Sequence, residues 1–137
     1  MAGIAFANSD CTAEHSLAEA TGGYYPRVAH GVAIGIFLPH IMEFTCISEP
    51  ERFRRIAIAM GEDISGLTTR QAANKAIQAV RDLIADVGLP TTLKDVGVER
   101  EGIKQVVNRA VINLSTPSNP RQISENDFLS IATRAYE

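Results

Sequence analysis

The sequence has little positive charge, little cysteine and no long apolar run, and each absence closes off a class of function. Thirteen Lys and Arg stand against sixteen Asp and Glu, a formal net charge of -3 at pH 7. That balance leaves no basic footprint for a nucleic acid. The two cysteines, Cys11 and Cys46, are too few for a disulfide framework and form no C-x-x-C pair, so a reducing cytoplasm is the default location. The most apolar run, GVAIGIFLP, is interrupted at His40 and falls far short of a membrane span. A G-x-x-x-G at Gly31 and Gly35 outside such a span means only close helix packing. The opening MAGIAFANSD has no positive charge before Asn8 and does not read as a secretory signal. No G-x-G-x-x-G, P-loop or strand–helix alternation offers to hold a nucleotide, and no internal repeat appears.

What remains is an ordinary globular mixture of 137 residues, 45 % hydrophobic and 21 % charged. That is the size of one soluble domain, residues 1–137, with enough chain to bury a core. The apolar opening through Gly3–Ala7 is unusual for a surface terminus and reads like a piece from the middle of something larger.

Helix signals recur and strand signals hardly occur, so the expected fold is all-α, a multi-helix bundle. A first helix is expected over 9–22, with Ser9 or Asp10 as cap and Gly22-Gly23 as stop. A second, from about His30 to Phe44, is apolar on nearly every side, as a central buried helix is, and Pro39 should kink it. Ser48 and Glu51 have capping-box spacing before a third helix, with Phe53, Ile56 and Ala57 inward and Gly61 at its end. Thr68 and Gln71 open a fourth, whose Ala73, Ala76, Ile77, Val80, Leu83, Ile84 and Val87 recur at helical intervals until Gly88 and Pro90. A connector follows, with Val96 and Val98 inward, and then a fifth helix over 100–114. TPSNPRQ reads as a loop. Ser124 and Asp127 cap a last helix with Phe128, Ile131 and Ala132 inward.

The chemistry-bearing residues gather in HSLAEATGGYYPRVAHG. His15 falls in the first helix, with Cys11 and Glu19 four residues to either side, so the three project from one face. His30 opens the next helix, across a loop holding Gly22, Gly23 and Pro26. Two imidazoles from adjacent helices can meet across such a loop, and imidazole suits a divalent ion such as iron, zinc or nickel. Spacing alone favours the plainer reading. Histidines this far apart match no standard metal motif, and a lone helical histidine is commonly a satisfied polar residue. Cys11 is then a small core residue, Glu19 a solvated charge, His40 a hydrogen-bonded structural histidine, and Tyr24 and Tyr25 loop packing. Spacing nominates no third ligand, whereas a catalytic metal usually takes three or four.

The string AGIAFANSDCTAEHSLAEATGGYY, the later HGVAIGIFLPHIMEF and the closing NPRQISENDFLSIATRAYE together resemble the iron-dependent alcohol dehydrogenases over essentially the whole chain. The resemblance implies a helical C-terminal domain that follows a dinucleotide-binding α/β domain, here absent. It implies a divalent metal, iron or in some members zinc, and NAD(P) as cofactors of the full-length enzyme. The metal is held by one Asp and three His; two of those histidines match His15 and His30, and the other two ligands lie upstream of this sequence. Phe6 and Cys11 match positions on the nicotinamide and substrate side of the cleft. A second family histidine, beside the substrate, is Glu19 here, a carboxylate able to relay protons or to approach the metal through oxygen. The isolated chain is then expected to be inactive, with the missing domain as partner and a homo-oligomer as the assembly. Two alternatives are a non-catalytic helical association module and a metal-binding protein whose site assembles across an oligomer.

Overall fold

The computed structural model describes residues 1–137, the side chain of Ala2 excepted. Seven α-helices make up the regular structure: α1 Ala2–Ser9, α2 Ala13–Tyr24, α3 His30–Thr45, α4 Pro50–Ala59, α5 Thr69–Asp86, α6 Ile103–Val111 and α7 Glu125–Tyr136. Short 3₁₀ turns at Arg100–Gly102 and Thr116–Ser118 complete it. Among the described residues there is no strand, so the all-α expectation holds.

The central helix is α3. Its apolar surface on opposite sides serves two cores at once. Ile36, Phe37, Ile41 and Phe44 join Leu17 of α2, Val106 and Val107 of α6 and Phe128 and Ile131 of α7 in the larger core. Met42 and the adjoining Cys46 join Phe53 and Ala57 of α4 with Ala73, Ala76 and Ile77 of α5 in a smaller one. Pro39 is buried inside α3, which continues through it as one helix.

Polar clamps fix the packing. The Glu43 carboxylate of α3 accepts Arg81 of α5 at 2.7 Å and Arg134 of α7 at 3.2 Å, tying three helices together. Arg121 donates to the Phe44 carbonyl at 2.8 Å and stacks its guanidinium 3.9 Å from the Phe44 ring, a cation–π contact. Asn119 donates to the Arg121 carbonyl at 2.7 Å, so the NPR loop is pinned to the end of α3. The connector is held the same way, its Leu93 N–H donating to the Ala135 carbonyl at 2.8 Å. Gly102 has no room for a side chain: a Cβ there would lie 1.8 Å from the Tyr25 hydroxyl oxygen.

The helices depart from the sequence expectation at named places. Residues 2–9 form a helix of their own. The next begins after Thr12, because Asp10 adopts φ 65°, a conformation that breaks a helix and that residues other than glycine adopt rarely. Glycines 22 and 23 do not stop α2, which runs to Tyr24. Ser48 does not cap α4: Pro50 takes the first helical position and Glu49 the cap place, while the Ser48 hydroxyl donates back to the Thr45 carbonyl. Ile56 stands 38 % exposed, Leu83 53 % and Val87 62 %, so these three are not inward. The 18 residues of α5 outrun the 10 of α4, about 27 Å against 15 Å, and its last turns have no helix to face on that side. The fifth expected helix is a 3₁₀ turn leading into α6, which stops at Val111.

Candidate functional site

Small residues let α2 lie close to its neighbours. Ala13, Ala18, Ala20 and Thr21 are buried, and residues 25–29, with Pro26 among them, then turn the chain into α3. The loop brings His15 and His30 face to face, their ring centroids 5.5 Å apart and the planes 57° apart. Two imidazoles sharing one ion at about 2.0–2.1 Å in tetrahedral geometry have centroids roughly 5 Å apart, so the pair has the spacing and donor chemistry for a divalent metal. Among the described residues no group of three or more His, Cys, Asp and Glu converges as a metal site.

The surroundings of the pair are acidic. Glu14, which the sequence reading did not single out, is buried, and its carboxylate lies 3.1 Å from His15 Nδ1. The same carboxylate accepts the Thr12 hydroxyl. The Cys11 thiol is held above the ordinary cysteine range, first by burial and then by the charges of Asp10, Glu14 and Glu19. That anionic setting suits a cation and disfavours a thiolate.

The remaining candidates divide. Cys11 is half-buried beside the pair's helix, its backbone N–H donating to Asp10 Oδ1 at 2.7 Å. Glu19 is exposed on α2, and its carboxylate accepts Asn113 Nδ2 at 2.7 Å. There it lines an open groove of about 420 Å³ with Arg109, Ile112 and Asn113. Phe6 projects from α1, 58 % exposed. Tyr25 packs against the larger core while Tyr24 is exposed. His40 is not the hydrogen-bonded histidine expected: its Nδ1 is buried without a partner. The missed Glu14 had a local signal, a carboxylate adjoining a candidate ligand.

The C-terminal model of the Fe-containing alcohol dehydrogenase family matches residues 1–136. The chain belongs to that family. It is 38 % identical over 136 residues to a 1,3-propanediol dehydrogenase of Klebsiella pneumoniae and covers 35 % of that protein, while 99 % of the chain is matched. An NAD-dependent methanol dehydrogenase of Bacillus methanolicus is 36 % identical, with 98 % of the chain and 35 % of that protein covered. A crystal structure of 1,3-propanediol oxidoreductase superposes with a TM-score of 0.96 at 38 % identity, covering 98 % of the chain and 35 % of the longer one. The chain thus spans about a third of the length of these family members and corresponds to their C-terminal portion. Among the described residues no helix is long and apolar enough to cross a membrane.

Proposed function

We propose that the chain serves as the metal- and substrate-site portion of an iron-dependent, NAD(P)-linked alcohol dehydrogenase, an oxidoreductase acting on alcohols and aldehydes. The observation that carries this reading is the meeting of His15 and His30 at 5.5 Å across the α2–α3 loop, inside a chain of that family. His15 and His30 would hold the metal, iron or zinc. A divalent ion bound there supplies Lewis acidity toward an alcohol oxygen. The chain's own residues do the rest of its share. Cys11 and Phe6 furnish apolar surface toward nicotinamide and substrate, and Glu19, oriented by Asn113, is the residue to take or return a proton. The remaining ligands and the dinucleotide site belong to the portion that the relatives carry and this chain does not match. On this reading the chain alone does not turn over. The exposed Ile4 and Phe6 of α1 then take cover against that portion, in a cytoplasmic homo-oligomer.

Placing the chain after the segment that precedes the matched region in the Klebsiella pneumoniae relative tests this. The expected fusion oxidises a short alcohol with NAD in an iron-dependent reaction. His15→Ala or His30→Ala then costs about a hundredfold or more, since loss of a mere ligand-orienting partner already costs about 10–100-fold. A folded fusion that binds NAD but lacks turnover, or one indifferent to both substitutions, contradicts the proposal.

A further inference from the structure

We propose that Glu14 is the positioning residue that fixes which nitrogen His15 offers. This rests on the reading of His15 as a metal ligand. The Glu14 carboxylate is only 11 % exposed, and a buried carboxylate needs partners on both oxygens. It has them: Oε1 lies 3.1 Å from His15 Nδ1 and Oε2 accepts the Thr12 hydroxyl. A carboxylate accepts only, so Nδ1 carries the hydrogen, and the neutral ring is left with its lone pair on Nε2. An imidazole oriented from behind by a carboxylate is the arrangement that sets ligand tautomer and ring direction in metal sites.

The local structure gives up something to make it. Thr12 stands at the N-cap place of α2, where a threonine hydroxyl ordinarily accepts a helix N–H, yet it makes no such cap bond. The hydroxyl is turned to Glu14 instead. Three consecutive demands are met by one short stretch: Thr12 anchors Glu14, Glu14 anchors His15, and His15 faces His30.

The direct readout is the ring tautomer of His15, taken from long-range proton–nitrogen correlation spectra of the metal-free chain. The spectra are recorded at pH about 8.5, about two units above the ordinary imidazole value, with His15→Ala assigning the signal. The expected wild-type ring is protonated on Nδ1. Glu14→Gln, which keeps an acceptor oxygen, retains that form. Glu14→Met, similar in length and without an acceptor, lowers the ratio of Nδ1–H to Nε2–H by about tenfold, the bias that one hydrogen bond to a charged group supplies. Retained helical circular dichroism shows that each variant is folded. A wild-type ring protonated on Nε2, or a folded Glu14→Met with an unchanged ratio, overturns the assignment. Because no metal is present, the role of Glu14 can fail here while the histidine pair still passes its own test, and the reverse.

Discussion

At the scale of the residue, His40 carries the clearest consequence. Burial pushes its pKa below the ordinary histidine value of 6.5; Arg134 and Arg81 push the same way, and Glu43 opposes them. The unfolded chain therefore binds this proton at a pH where the folded one does not, and between the two values stability rises with pH. The contribution is full above about pH 6.5 and is lost as pH falls through the depressed folded value. Denaturation midpoints in urea between about pH 5 and 8 should show that slope, and His40→Gln, which takes up no proton, should flatten it. An identical slope in the variant contradicts the assignment to His40. Asp127 and Asp63 are held below the usual carboxylate range, the first by hydrogen bonds from Ser124 and the second by those from Ser65. Their stabilisation disappears only at more acid pH, so the two windows separate. Residue chemistry was partly legible in the sequence: imidazoles, a thiol and carboxylates in one segment were visible as types. Which carboxylate meets which partner was not. Glu14 reaches His15 by local geometry that a face-of-helix argument passes over, and Glu19 finds Asn113, 94 positions on, through the packing of α2 on α6.

At the scale of the element, local signals transferred to the structure when nothing competed with them. Both remaining capping boxes are formed: Thr68 with Gln71 before α5, and Ser124 with Asp127 before α7. Thr68→Ala should lower stability by about 1 kcal/mol, as should Ser124→Ala. Equilibrium unfolding reads both, and two variants as stable as the parent would mean that the caps are replaced by water. The pair Ser48 and Glu51 has the same spacing and fails, because a proline between them claims the first helical position and sends the serine hydroxyl backward. Spacing is thus a necessary signal, and the neighbour decides. Helix α1 was hidden for a different reason. An apolar segment with neither a polar face nor a cap has no periodicity to read, although its backbone is helical. The outer side of α5 was misread because Leu83 and Val87 follow the apolar rhythm of the buried positions. Only the shorter length of α4 shows that nothing lies opposite them.

At the scale of the whole molecule, the chain carries one part of a divided site. The fold of the chain matches the C-terminal third of its relatives, and it brings together two imidazoles with no third ligand among the described residues. That the sequence belonged to such a fold was legible from motifs in order. That the two histidines face each other required the turn after Tyr24 to set α3 beside α2. Two ligands give far less than the roughly 10–16 kcal/mol of a complete zinc site. The most direct test is isothermal titration of the metal-stripped chain with ferrous iron and with zinc, beside His15→Ala and His30→Ala. The expected result is one weak site in the parent chain and its loss in each variant. Tight binding by the isolated chain, or weak binding untouched by either substitution, would contradict it.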